Sequence, residues 1–202
     1  MALSLLDIDL ADSELHENLL RMNTCILAYA GLCQAPSGYP DDENPKAPMS
    51  AMVQDLVKNC LDHPTIRDEV YLQLIKSTTS HPEPDSSTIL KLWKLLSIVC
   101  WICLPSQLVY DYLRAHLRNY AYGNSSSFSK RKKEREFARY ALKAVQRTHS
   151  NGGRKQPPSV DEMVAVTLMT PMYAKFNFLD GQSRSIMFDP ATTTTEVLGN
   201  FF

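Results

Sequence analysis

Apolar residues recur every three or four positions along most of the chain, the spacing that gathers side chains on one face of an α-helix. Leu15, Leu19, Met22, Ile26 and Tyr29 make the first such stripe. Ser13 can accept a hydrogen bond from a free N–H at its start, and Gly31 can take the left-handed conformation that closes it, so a helix is expected from Ser13 to Gly31. A loop follows from Gln34 to Pro48, holding four prolines and the acidic trio Asp41, Asp42 and Glu43. Val53, Leu56, Val57, Cys60 and Leu61 mark a second helix. The third opens at His63-Pro64, where proline's missing N–H is harmless and its fixed φ is already helical. Its apolar stripe is Ile66, Val70, Tyr71, Leu74 and Ile75. His81-Pro82-Glu83-Pro84-Asp85 then breaks the chain. Ile89 to Cys103 is apolar on nearly every side, with a narrow strip at Lys91 and Lys94, which predicts a buried central helix ended by Pro105.

Val109, Tyr112, Leu113, His116, Leu117 and Tyr120 predict one face of a further helix, and Gly123 to Ser129 reads as a serine-rich loop. From Lys130 onward Phe137, Tyr140, Ala141, Ala144, Val145 and Thr148 face inward. Gly152-Gly153-Arg154-Lys155-Gln156-Pro157-Pro158 reads as a helix end and a stiff connector. Ser159 and Glu162 form a capping box for the next helix. Stripes of this kind are buried most economically in a bundle. After Met169-Thr170-Pro171 the period drops to two. Met172 to Leu179 alternates, Asp180-Gly181 is a hairpin turn, and Gln182 to Phe188 returns with Ile186 and Phe188 on one side. Thr195 precedes a short helical start at Glu196, Val197 and Leu198. A hairpin and a helix stub cannot stand alone. The expectation is therefore a mainly α chain: a bundle of six or more helices over 10–166, then an incomplete ββα fragment over 171–202.

A chain of 202 residues that is 44% hydrophobic has enough apolar material for a core. The five cysteines are odd in number and unevenly spaced, and Leu3 to Leu10 is too short and too interrupted by Asp7 and Asp9 to be a leader, which points to a reducing, cytosolic setting. The run from Ile89 to Leu104 falls short of the roughly 18 residues a membrane span needs, so no transmembrane segment is expected. Net charge is −1, but it is unevenly spread. Residues 1–113 carry 7 Lys/Arg against 15 Asp/Glu, residues 114–155 carry 12 against 2, and residues 156–202 carry 2 against 5. A one-signed block attracts acidic partners. The candidate partner-binding residues are Lys130, Arg131, Lys132, Lys133 and Arg135, continued by Arg139, Lys143 and Arg147. Positions 132, 135, 139, 143 and 147 step by three or four and so form one row of cations. The bland alternative is a solvated face, and short Lys/Arg runs also match nuclear import signals. Without interleaved aromatics or a base-reading motif, nucleic acid is not an expected partner.

Nothing points to an active site, a cofactor or a metal. Cys100-Trp101-Ile102-Cys103 has redox or zinc spacing, and Cys60 and His63 could add ligands, yet the cysteine pair sits inside the most apolar helix, where thiols act as small core hydrophobes. Arg67, Asp68 and Glu69 lie at a helix start, where acidic residues favour the dipole. The five histidines lie far apart with no nucleophile elbow, and the seven glycines form no phosphate loop.

Taken in order, Ile66-Arg67-Asp68-Glu69-Val70-Tyr71-Leu72-Gln73-Leu74-Ile75-Lys76, Trp93-Lys94-Leu95-Leu96, Leu104-Pro105-Ser106, Tyr112-Leu113-Arg114-Ala115-His116-Leu117 and the Arg154 to Glu162 stretch closely resemble the myosin tail homology 4 domain. The resemblance covers residues 10 to 166. The tail from Tyr173, with Asp180-Gly181 and the threonine run before Glu196, resembles the opening ββα of the ubiquitin-like first lobe of a FERM domain. This order occurs in tails of unconventional myosins, in a plant kinesin and in pleckstrin-homology adaptors. It implies a non-enzymatic module of the cytoplasm and cytoskeleton that links a motor or adaptor to microtubules or cargo. The basic row would meet the acidic tails of tubulin or other acidic cytoskeletal proteins, and cargo proteins would bind through the complete FERM of the parent. The alternative is a scaffold module of a membrane-associated FERM adaptor that positions FERM for cargo tails without touching microtubules. The chain departs from the family layout in lacking a motor segment, a light-chain motif, a pleckstrin-homology portion and the rest of FERM. Arg154 is expected to anchor the connector; the groove between this end of the bundle and the FERM lobe receives cargo peptides in related tails.

Overall fold

The computed structural model describes residues 13–39, 49–123, 130–178 and 181–199. Their elements, in chain order, are α1 (Ser13–Ala30), α2 (Ser50–Asp62), α3 (Pro64–Thr78), α4 (Ser87–Ile102), α5 (Gln107–Tyr122), α6 (Lys132–Asn151), α7 (Val160–Leu168), β1 (Met172–Asn177), β2 (Ser183–Phe188) and α8 (Thr194–Gly199). The chain is mainly α: a bundle of seven helices followed by a ββα unit.

The helix that is apolar on nearly every side is the axis. α4 packs against α1, α3, α6 and α7, and buries Leu92, Trp93, Leu95, Leu96, Trp101 and their neighbours, while Lys91 and Lys94 keep a partly open strip. Burying each large side chain of this kind contributes roughly 1.5–3 kcal/mol. Ser86 caps the helix by accepting from the Ile89 N–H at 3.5 Å. Its last carbonyls, which no helical N–H can reach, are met from outside. Thr148 Oγ1 donates to Cys100 O at 2.9 Å, the Arg154 N–H to Ile102 O at 2.7 Å and Tyr71 OH to Cys103 O at 2.7 Å. One helix end thus ties together α3, α6 and the connector. The connector passes so close that a Cβ on Gly153 would stand 3.3 Å from Ile102 O.

Pro64 is the first residue of α3, Gly31 closes α1 with φ +82°, and Ser159 and Glu162 form their capping box on α7. Asp68 Oδ1 accepts from the Ser106 N–H at 2.7 Å, fixing the start of α5, and Glu69 is buried beside Gln73. These carboxylates hold the bundle together.

Two expectations need correction. Tyr112 is 61% exposed, and Tyr110 takes the inner place because α5 turns that ring onto His149 of α6, with centroids 5.5 Å apart. The short C-terminal helix, expected after Thr195, begins at Thr194 and is capped by Thr193. The Thr193 hydroxyl accepts from the Glu196 N–H at 3.3 Å, and its own N–H donates to the Glu196 carboxylate at 2.9 Å. β1 and β2 pair as an antiparallel hairpin from Met172↔Phe188 to Asn177↔Ser183, the Phe178 N–H donates to Gln182 O at 2.9 Å, and Gly181 has φ +79°. Asp180 of the expected turn, the acidic trio at 41–43, residues 124–129 of the serine-rich loop and the stretch Leu3 to Leu10 lie outside the described residues. Ile186 and Phe188 share the inner side of β2, opposite Ala174 and Met172.

Candidate partner-binding surface

α6 is the most strongly amphipathic of the long helices. Phe137, Ala138, Ala141, Leu142, Ala144, Val145 and Thr148 are buried, and the opposite face is polar. At 100° per residue, Lys132, Arg139 and Lys143 fall within one narrow arc. All three are exposed, as are Lys130 and Lys133 at the helix start. Among the described residues none of these four lysines lies within 4 Å of a carboxylate. Glu136 is the single exposed acid on the helix. Arg139 keeps its place by donating from Nε to Ala121 O at 3.2 Å.

The row is not uniform. Arg131 is 9% exposed and belongs to an internal network. Its Nη1 donates to both oxygens of Glu134 at 3.0 and 3.1 Å, and its Nη2 donates to His81 O at 2.6 Å. Glu134 is fully buried and also accepts from Trp93 Nε1 at 3.2 Å and the Asp85 N–H at 3.1 Å. Asp85 returns the contact, accepting from the Lys133 and Glu134 N–H groups at 3.0 Å each. The N-terminus of α6 is therefore capped by a carboxylate from a distant loop, since Arg131 at the local cap position supplies no side-chain bond. Arg135 is half-buried, with its Nε enclosed.

At the other end Arg147 turns toward the ββα unit. Its Nε donates to Asp189 at 3.1 Å and its Nη groups donate to Glu196, Asp189 and Thr192. Asn151 Nδ2 adds bonds to Glu196 at 3.0 Å and to Ala191 O at 2.9 Å. Hydrogen bonding from Arg147, then from the Thr193 backbone, holds the Glu196 carboxyl down at about 2, and the same pair raises Arg147. Of the eight predicted residues, then, Lys130, Lys132, Lys133, Arg139 and Lys143 stand outward, Arg135 is intermediate, and Arg131 and Arg147 are spent on the fold. Helical spacing marks position on one helix and is blind to Asp85, Asp189 and Glu196, which reach α6 from elsewhere in the chain.

Beside Arg147 a cleft of about 400 Å³ runs between the bundle and the ββα unit, walled by Trp101, Tyr140, Lys143, Val166, Met187 and Phe188 among others. Trp101 and Tyr140 meet edge to face at 5.6 Å. The thiols of α4 play a different part. Cys100 and Cys103 are buried and unbridged, and burial pushes Cys103 up to about 12. Among the described residues no three potential metal ligands converge, and no helix is long and apolar enough to cross a membrane.

The comparisons agree with this architecture. The MyTH4 domain family model matches residues 53–165. The myosin-I heavy chain of Dictyostelium discoideum is 33% identical over 132 residues, which are 65% of this chain and 5% of that protein. Mutant 2 of the myosin VII MyTH4-FERM MF1 domain of the same organism superposes with a TM-score of 0.81 at 26% identity, over 98% of this chain and 37% of that one. The human myosin 7b C-terminal MyTH4-FERM domain, solved with the harmonin-a PDZ3 domain, gives a TM-score of 0.70 at 20% identity, over 95% of this chain and 36% of that one, and shares the fold. With the order of motifs, the seven-helix bundle and the trailing ββα unit all in accord, the chain belongs to the MyTH4 domain family and continues into the start of a FERM-like fold.

Proposed function

We propose that this chain is a non-enzymatic tail module of an unconventional-myosin-like protein of the cytoplasm and cytoskeleton, linking motor or adaptor to microtubules or cargo, and that the outer face of α6 binds an acidic cytoskeletal partner. The leading partner is the microtubule, through the acidic tails of tubulin. The observation that carries the reading is the set of exposed lysines at 130, 132, 133 and 143, with Arg139 among them and no carboxylate within 4 Å of the lysines among the described residues. Cations with no intramolecular partner keep their full attraction for an external anion, subject to salt screening. The MyTH4 unit would span 10–166 and the first FERM lobe would begin at 171–202. A complete FERM in the parent would take cargo proteins, as the human myosin 7b relative takes a harmonin PDZ domain.

A second reading rests on Arg147. Because its network seats the ββα unit against α6, the bundle could serve as a scaffold that orients FERM for cargo tails without contacting microtubules.

Co-sedimentation with microtubules separates the two, with intact tubulin compared with tubulin whose acidic tails are trimmed, at low and moderate salt. Salt-sensitive binding that is lost on trimming, and weakened at least about tenfold by Lys132→Glu, Arg139→Glu and Lys143→Glu together, supports the microtubule contact. No binding at low salt would leave the scaffold reading.

A further inference from the structure

α5 presents an outward stripe that neither the fold nor the α6 face uses. Leu108 is 70% exposed, Tyr112 61% and Tyr122 62%, and Ala115 is exposed between them. At 100° per residue these four positions share one side of the helix, spread over about 21 Å. Single exposed apolar residues are ordinary; four that gather on one side of a helix, interrupted there by the exposed Asn119, mark a contact surface.

The border of this stripe has a definite charge. α5 and α6 lie side by side and antiparallel, as the stacked pair Tyr110–His149 and the bond from Arg139 to Ala121 O show. On the side facing α6 the stripe is bordered by Arg114 and Arg118, with Asp111 the one acid. Between the two helices a cleft of about 440 Å³ is lined by Gln107, Tyr110, Arg114, Gln146 and His149, with the Arg114 guanidinium 5.7 Å from the Tyr110 ring centre. No carboxylate lies within 4 Å of Arg114 or Arg118 among the described residues. This edge falls in the segment 114–155, where 12 basic residues face 2 acidic ones.

We infer that α5 is a second docking surface, for an amphipathic helix of a partner protein whose apolar stripe lies on Leu108, Tyr112, Ala115 and Tyr122 and whose acidic flank meets Arg114 and Arg118. Charge complementarity decides the occupant. A second copy of this chain would set the cationic borders against each other, whereas a helix with one acidic flank pairs with them. A carboxylate in the Arg114–His149 cleft would meet a guanidinium that lies over the Tyr110 ring, 5.7 Å from its centre. The inference is independent of the microtubule contact. A disordered acidic tail needs the cations of α6 and no apolar stripe.

The test is a titration of the isotopically labelled full chain, followed by amide and arginine Nε–H resonances. The probe is a synthetic helical peptide of about 16 residues, with leucines along one face and glutamates along one flank. Two control peptides carry Leu→Ala or Glu→Gln throughout. The expected result is shifts confined to α5 and to the Arg114 Nε–H, weakened at least about tenfold by either peptide change, by Leu108→Ala with Tyr112→Ala, and by Arg114→Ala. These side chains are exposed or half-buried, so the variants should fold, and unchanged amide spectra outside α5 confirm it. Microtubule sedimentation of the Leu108→Ala, Tyr112→Ala variant should stay at the level of the parent chain. Absence of α5 shifts at millimolar peptide, equal shifts from all three peptides, or self-association through this face would overturn the assignment.

Discussion

The two ends of α6 carry similar chemistry in different surroundings. At the N-terminal end Arg131 pairs with a Glu134 that is wholly removed from solvent, and every partner is fixed by the packing of α4 and the 81–86 loop. At the C-terminal end Arg147 pairs with Asp189 and Glu196 while its side chain is 28% exposed and theirs are 22% and 36%. A buried pair cannot be opened without stranding a charge in an apolar interior, whereas a half-exposed pair can open onto water. The first end is part of the bundle's integrity. The second is a joint that holds the ββα unit in place, and its release is expected to leave the helices folded. Beside them lies the outward face proposed for a partner, made of the α6 cations that neither end consumes.

The contrast can be broken most sharply at Glu134. Glu134→Gln leaves Arg131 buried without its counter-charge and should cost about 3–5 kcal/mol, read as a lowered urea midpoint of the whole bundle. Asp85→Ala removes the carboxylate that caps α6 from the neighbouring loop and should cost about 0.5–2 kcal/mol by the same assay. Arg147→Met should leave the bundle's midpoint within about 1 kcal/mol while hydrogen exchange of β1 and β2 speeds up; loss of protection throughout the bundle would show that the two ends are one unit. Acid should find the same joint. Glu196 is held at about 2, below its ordinary 4.5, so its contribution is complete above about 4.5 and fades as pH falls toward 2. Strand-pair protection, followed through that window, should drop in the parent chain but be low and flat in Arg147→Met. The smallest effect per site on stability belongs to Lys132→Glu, Arg139→Glu and Lys143→Glu. It should stay within about 0.5 kcal/mol per site while changing partner binding, because exposed side chains without carboxylate partners contribute little to folding.

Much of the bundle is visible in the chain because its helices announce themselves locally. Pro64, Gly31, Ser159 and Glu162 act on their immediate neighbours through φ restriction and backbone capping, so composition and order suffice to place them. The near-continuous apolar run of α4 marks the axis for a similar reason, since a helix without a polar face has to be enclosed. Tyr112 shows where this fails. A tyrosine at the edge of an amphipathic arc can turn in or out, and the choice fell to Tyr110 because His149 stands opposite it. The start of the last helix moved to Thr194 because Glu196, drawn to Arg147, also accepts from the Thr193 N–H.

The candidate surface divides in the same way. The sequence by itself determined that residues 114–155 are strongly basic, that α6 is amphipathic and that the chain has the motif order of its family. It did so because charge, period and capping are properties of neighbours along the chain. Only the tertiary structure decided which cations are available. Arg131 is taken up by Glu134 and by His81 O, 50 residues away, and Arg147 by Asp189 and Glu196, 42 and 49 residues away, contacts that no spacing along α6 reveals, and the exposed cations outside them are the ones left for the proposed partner.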